Sequence, residues 1–321
     1  MTTQKSTIVR VKNVARRSFF ATADRVAPRL AGRMARDLWF GLPPAMTQTP
    51  LPEGGERFEV TSLGGRVRGC AWGPLDGRVD GPVDGPVDGP VDGPVDGPVD
   101  AATPVVYLVH GWGGLGSQLT AYVEPLVDAG YRVVLFDAPA HGDSEPGPSG
   151  AGRTHGVELG RALDEVAARF GPAHAVVAHS LGATATYLTL RYGWLGTDRL
   201  VLLAPMVEAA TLFDAFQRAL GFGERTRRAF DREVDEFVGV PVEEFDIRVQ
   251  AAYVDPIPTL VVHDRRDRQA AYSLSVELAD TLPDARLVTT DGLGHRRILR
   301  DPGVVAEVVE FLTGGERQAV A

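Results

Sequence analysis

The sequence contains a single cysteine, Cys70, in 321 residues. A disulfide framework within the chain is thereby excluded, and so is a cysteine-built metal cluster. No apolar run reaches the roughly 18 residues a spanning helix needs, so none is expected. Basic charge is short: 33 Lys and Arg stand against 42 Asp and Glu, and the net charge of −9 argues against non-specific nucleic-acid binding. What remains is ordinary for a globular protein, with 44% hydrophobic and 23% charged residues. The length suits one α/β domain carrying insertions. The lone cysteine and the absence of a secretory signal are compatible with a reducing compartment, and a cytoplasmic location is the expectation.

The missing positive charge is concentrated at one end. Residues 1–50 hold nine Lys and Arg against Asp24 and Asp37, a local charge of +7 that leaves −16 for the remainder. This basic extension reads as helix over 14–40, broken near Pro28 and ended by Gly41 and Pro43-Pro44. Val26, Leu30, Met34 and Leu38 form an apolar stripe at four-residue spacing, with Arg25, Arg29, Arg33 and Arg36 beside it. Docking of that stripe on the protein's own surface, anchored by Leu38-Trp39-Phe40, is the expected arrangement. Peripheral contact of residues 1–40 with an anionic membrane is the alternative. The Arg-rich, acid-poor composition is also that of a transit peptide.

Residues 55–321 read as the main domain. Phe58–Thr61 and Val67–Trp72, separated by Gly64-Gly65, predict an antiparallel hairpin. Residues 79–100 then carry five copies of Val-Asp-Gly-Pro. Proline in each copy denies ladder hydrogen bonds, and the isolated valines cannot build a core, so a flexible surface insertion is expected. The aspartate spacing is not that of a calcium loop. From Pro104 onward strands and helices alternate. Strands are expected at Val105–Val109, Arg132–Phe136, Ala175–Val177, Leu200–Leu203, Thr259–Val262 and Arg286–Thr289. Helices are expected at 117–129, 153–170, after Ser180, at 271–281 and at 303–313. Such alternation predicts a parallel sheet between helical layers, with sites at the strands' carboxyl ends. Residues 206–255 interrupt it with Phe213, Phe216, Phe222, Phe230, Phe237 and Phe245 among dense mixed charge. Two or three amphipathic helices forming a lid over the site are the expectation there.

Candidate chemistry gathers at the strand ends. Ala178-His179-Ser180-Leu181-Gly182 is a strand, a tight turn and a helix start, with serine at the apex. A helix N-cap is the plain alternative for Ser180. As a nucleophile, Ser180 needs a base, an orienter for that base, and donors to an oxyanion. His295, on the glycine-rich loop Asp291–His295, is the candidate base. Asp267, in His263-Asp264-Arg265-Arg266-Asp267, is the candidate orienter, with Asp264 and the more distant Glu208 as competitors. The backbone amides of Leu181 and Trp112 are the candidate oxyanion donors, the latter in His110-Gly111-Trp112-Gly113-Gly114. His110 is expected to fix that loop and His179 to pack. Arg265, Arg266, Arg296 and Arg297 either attract an anionic substrate or form a solvated, ion-paired rim.

With HGWGG at 110–114, DAPAHGDS at 137–144, AHSLG at 178–182, HDRRD at 263–267 and GLGH at 292–295, the chain from about Phe58 resembles the α/β-hydrolase superfamily. The resemblance is in particular to its lysophospholipase- and serine-aminopeptidase-like branch. It departs from the usual motif at Ala178, where glycine is customary. The resemblance implies a mostly parallel, eight-stranded sheet flanked by helices, and a serine hydrolase that needs no cofactor or metal. It also implies that His141 and Ser144 shape the site wall. Serine at the elbow sets the chain apart from relatives with an aspartate nucleophile. The expected activity is hydrolysis of a small, partly apolar carboxylic ester or thioester, of the carboxylesterase type. A peptidase or amidase on the same residues, or a non-catalytic scaffold binding a small molecule or partner protein, are the alternatives.

Overall fold

The computed structural model describes residues 2–44, 47–74 and 103–314. The Val-Asp-Gly-Pro repeat, expected as a surface insertion, lies outside the described residues. Two helices come first, α1 (Thr2–Val26) and α2 (Pro28–Phe40), parted at Ala27-Pro28. Helix α1 thus begins well before the expected residue 14, while the proline break and the stop at Gly41 fall where the sequence predicts them.

The hairpin follows as β1 (Glu56–Ser62) and β2 (Gly65–Trp72), with Val60 opposite Val67. Leu63 and Gly64 both adopt positive φ, +50° and +86°, as a two-residue hairpin turn with right-handed strand twist demands. Then come β3 (Val105–Val109), a 3-10 turn leading into α3 (Val123–Asp128), β4 (Arg132–Phe136), α4 (Gly156–Phe170), β5 (Ala173–His179), α5 (Leu181–Arg191) and β6 (Thr197–Leu203). The insertion supplies α6 (Ala210–Leu220), α7 (Glu224–Val238) and short α8 (Ile247–Ala251). The chain finishes with β7 (Thr259–Asp264), α9 (Tyr272–Thr281), β8 (Ala285–Thr290), α10 (Gly294–Arg297) and α11 (Pro302–Leu312).

These strands form one eight-stranded sheet in the order β1-β2-β4-β3-β5-β6-β7-β8. β2 runs antiparallel to β1 and β4, and every later pairing is parallel. Both faces are covered, which is why the inner strands read as continuous apolar runs. Tyr107, Val176 and Leu202 face one core layer, and Leu108, Val177 and Val201 the other. Helix α5 is buried along nearly its whole length, and its threonines are compatible with that because each hydroxyl finds a carbonyl: Thr186 donates to Gly182 and Thr189 to Ala185, both at 2.8 Å. The winding direction changes between β3 and β5, opening a crevice at their carboxyl ends.

The N-terminal helices do dock on the body, but not through the expected stripe. Val26, Leu30, Met34 and Leu38 are 77%, 58%, 38% and 47% exposed. The buried face is instead Phe20, Ala23, Ala31, Gly32, Ala35 and Phe40. Close approach to α7 explains the inversion. A Cβ on Gly32 would lie 2.7 Å from the Ala229 Cβ and within 2.9 Å of α7 backbone, so only the smallest side chains fit the contact. Arg33 and Arg36 both grip Glu233, at 2.9 and 2.8 Å, and Asp24 accepts the Thr226 amide at 2.8 Å. Above this contact the aromatics of the insertion close on Trp39, whose ring meets Phe213 edge-on at 4.7 Å and Phe216 at 5.2 Å. Phe230 sits fully buried among them.

Candidate active site

Ser180 stands between β5 and α5 with φ +52° and ψ −120°, a strained turn for a residue with a Cβ. Its side chain does not cap the helix. Instead Oγ lies 3.1 Å from Nε2 of His295. Two glycines make the turn possible. A Cβ on Gly182 would meet the His110 carbonyl at 2.6 Å, and one on Gly111 would meet the Ser180 Cβ at 2.7 Å. Ala178, the departure from the usual glycine, is fully buried in β5 between Val109 and Leu202, and its methyl leaves Ser180 within hydrogen-bond reach of His295.

The loops after β7 and β8 bring the remaining candidates together. His295 Nδ1 donates to Asp267 Oδ2 at 2.7 Å. The same oxygen accepts from His263 Nε2 at 3.2 Å, and Oδ1 takes the amides of Gln269 (2.7 Å) and Ala270 (3.1 Å). Burial acts to raise the Asp267 pKa, but these donors, His263 and His295 foremost, outweigh it and hold the carboxyl far below the usual range. His263 was not singled out from sequence. It is fully buried, and Ser275 Oγ at 2.6 Å from its Nδ1 fixes the tautomer that points N–H at Asp267. The four-residue interval between His263 and Asp267 was the available signal.

Neither competitor of Asp267 touches His295 among the described contacts. Asp264 is a loop staple. Its carboxylate accepts the amides of Arg266, Gly292 and Leu293 and the Thr290 hydroxyl, at 2.8 to 3.2 Å. Burial pushes its pKa up, yet these bonds bring it down to about 2. Asp264 thereby ties the loop bearing His295 to the loop bearing Asp267. Glu208 pairs with Arg248 and Thr211.

Three further histidines are buried and neutral around the serine. His110 accepts the Ala138 amide on Nε2 (2.9 Å) and donates from Nδ1 to the Gly111 carbonyl (2.8 Å). His141 likewise accepts the Gly113 amide on Nε2 (3.0 Å) and donates to Pro139. Both therefore brace the loop carrying Trp112, a role expected of His110 but not of His141, and burial pushes them down to about 4 and about 3. His179 does more than pack. Its Nε2 donates to the His295 carbonyl at 3.0 Å, and burial holds it at about 3. The Leu181 amide is the first of α5, among those a helix leaves without an internal partner.

A family model described as the alpha/beta hydrolase family matches residues 106–308. The chain belongs to the α/β-hydrolase family. Comparison with curated proteins gives no match. Among solved structures, the α/β-hydrolase chain is similar to a Pyrococcus furiosus esterase, at 16% identity and TM-score 0.57, over 86% of this chain and 98% of that one. It is similar to a monoacylglycerol lipase from Paleococcus ferrophilus, at 22% identity and TM-score 0.51, over 67% of this chain and 97% of that one. A thioesterase domain from the curacin biosynthetic pathway aligns at 16% identity and TM-score 0.54, over 81% and 99%. At these identities the likeness is one of fold.

In this α/β-hydrolase, Ser180 and His295 open onto a cavity of about 270 Å³. The insertion lines it with Leu212, Phe213, Val234, Val238 and Phe245, and Met206 and Leu181 add to the apolar wall. Trp39 and Phe40 of α2 complete the wall, so an N-terminal helix outside the family-matched segment shapes the pocket. Polar groups on the lining include Gln118, Gln269, His295 and Arg296, together with His155, whose ring lies 6.3 Å from that of Phe40. No group of three or more His, Cys, Asp or Glu suited to a metal occurs among the described residues, and no described helix is long and apolar enough to cross a membrane.

Proposed function

We propose that the protein is a serine hydrolase of carboxylic esters or thioesters with a small, partly apolar acyl group, working through an acyl-enzyme on Ser180, His295 and Asp267. The observation that carries this reading is the hydrogen-bonded series Asp267–His295–Ser180, with 2.7 and 3.1 Å links, at the mouth of an apolar cavity. Ser180 Oγ attacks the acyl carbon while its proton passes to His295 Nε2. Negative charge on the former carbonyl oxygen is met by the Leu181 and Trp112 amides, each contributing roughly 3 kcal/mol to the transition state. The bond to the leaving oxygen or sulfur then breaks, and that atom takes the proton from His295. Water repeats the sequence: it yields a proton to His295, bonds to the acyl carbon, and releases the acid as Ser180 regains its proton. Asp267, kept ionised by its donors, stabilises the imidazolium formed in each half. The cavity volume lies just below the roughly 300 Å³ of drug-sized sites and favours a short or medium acyl chain over a peptide. Turnover of p-nitrophenyl esters and labelling by a fluorophosphonate probe are expected for the wild type. Both should be lost in Ser180→Ala, with turnover also lost in His295→Ala. Unchanged turnover in either variant refutes the assignment. Helices α6 and α7 with α2 serve as the lid in this reading.

The exposed stripe of α2 carries a second part of the proposal, peripheral contact with an anionic bilayer. Leu30, Met34 and Leu38 project from one face, and Arg25 and Arg29 beside them form no ion pair among the described residues. Flotation with phosphatidylglycerol vesicles should recover the protein, and Leu30→Glu/Leu38→Glu should abolish recovery. Recovery that survives the double substitution overturns the contact.

A further inference from the structure

A second, open cavity of about 410 Å³ adjoins the apolar one and shares Gln269 and His295 with it. Its walls are basic. Arg266, Arg268 and Arg297 line it, and no carboxylate does among the described residues. Arg296, at the boundary, lines the apolar cavity beside His295. The nearby carboxylates are engaged elsewhere: Asp291 holds Arg266 at 2.5 Å, Asp264 is taken up by loop amides, and Asp267 by the two histidines. Arg268 and Arg296 form no ion pair among the described residues. Arg297 donates to the carbonyls of Leu293 (2.9 Å) and Gly292, which orient its guanidinium without neutralising it. Four guanidinium groups against one aspartate beside the reactive serine contrast with a chain of net charge −9.

The chemistry of the site assigns the two cavities to different halves of one substrate. His295 delivers its proton to the departing oxygen or sulfur, so the leaving group must lie on the His295 side. The acyl chain then occupies the apolar cavity walled by α2 and the insertion. Guanidinium forks match the oxygens of a phosphate better than those of a neutral alcohol, and arginine holds phosphate bidentately. We infer that the arginine vestibule binds a leaving group that carries a phosphate, so that the preferred substrate is an acyl ester or thioester of a phosphorylated alcohol or thiol. This inference rests on the serine hydrolase reading and narrows its substrate.

The test compares kcat/KM for two matched pairs with the same acyl chain. One pair is acyl-coenzyme A against acyl-N-acetylcysteamine, the other 1-acylglycerol 3-phosphate against 1-acylglycerol. At least one phosphorylated member should be preferred by about tenfold or more, the scale of one charge-assisted hydrogen bond. That preference should fall toward unity in Arg268→Gln/Arg297→Gln and with rising salt. The pair that responds identifies the source, a phosphorylated thiol or a lipid headgroup. Equal turnover within both pairs, or a preference that survives the double substitution, overturns the inference. Both side chains are exposed, so the thermal midpoint should be unchanged; Arg268→Gln alone serves if it is not. A binding arm is independent of turnover: coenzyme A and glycerol 3-phosphate are titrated calorimetrically into Ser180→Ala protein, with and without the arginine substitutions. Arginine-dependent binding without ester turnover by the wild type retains the vestibule and overturns the hydrolase. Turnover of neutral esters with neither binding nor preference does the reverse.

Discussion

The buried histidines make a quantitative acid-stability prediction. His110, His141 and His179 are held down to about 4, about 3 and about 3 because burial disfavours their charged forms. In the unfolded chain each returns to about 6.5. Their folded values are depressed, so the stability they contribute is complete above about pH 6.5 and is lost as pH falls toward 4 and 3. Each histidine contributes a slope of up to about 1.4 kcal/mol per pH unit. Three together remove about 6 kcal/mol by pH 5, comparable with the roughly 5–15 kcal/mol total of a folded domain. Asp264 and Asp267 cannot mask this effect. Their folded pKa values are depressed below about 3.9, so their contribution is lost only in more acidic solution. His155, also pushed down by burial, acts in the same direction as the three. Asp137, Asp231 and Asp235, raised by burial, act in the opposite direction, so calorimetric unfolding at pH 5.5, in two buffers of different ionisation enthalpy, should report an uptake of about three protons at most. His141→Asn, whose side-chain oxygen can still accept the Gly113 amide, should lower that uptake by about one. An uptake below one proton would refute the neutral tautomers assigned to the bracing of the Trp112 loop.

Three other perturbations test the site and its walls. Replacing His263 by Leu removes one donor from Asp267 Oδ2 and frees that carboxylate to turn away from His295. The value of kcat/KM should then fall by roughly tenfold, about 1.4 kcal/mol, the scale of one hydrogen bond, and His263→Gln, which keeps an N–H donor, should restore it. An unchanged kcat/KM would leave His263 with packing alone. Gly32→Val drives side-chain atoms into Ala229 and the α7 backbone and should cost about 1–3 kcal/mol of overpacking. Limited trypsin digestion should then release α1 and α2 sooner than from the wild type. Trp39→Ala opens the apolar cavity and should shift the acyl optimum to longer chains. Each added methylene that finds a wall should gain about 0.8 kcal/mol, roughly fourfold in kcat/KM.

The sheet was legible because both its faces are covered: β3, β4, β5 and β6 announce themselves as unbroken apolar runs. Ser180, His295 and Asp267 were legible because each directly follows such a strand or lies within one loop of it. Other features depend on contacts that sequence spacing does not record. Asp264 and Asp267 carry the same side chain three positions apart, and only the amides converging on Asp264 distinguish the staple from the partner of His295. The α2 face was misread for a related reason. Ranking residues by size selects Leu30 and Leu38, whereas a helix pressed close to its neighbour buries alanine and glycine and leaves the large side chains outside. Ala31, Gly32 and Ala35 were the informative letters.

The wall that Trp39 builds also has a history in time. Arg33 meets Glu233, a partner 200 residues further along the chain. At about 5–20 residues per second of synthesis, α2 waits roughly 10–40 s for α7 to be made. Through that interval Phe20, Trp39 and Phe40 lack the insertion aromatics they pack against in the folded protein, Phe222, Phe213 and Phe237. The nascent chain therefore presents apolar surface on its first helices until α7, ending at Val238, has been made, so the beginning of this protein needs shielding until its insertion has arrived.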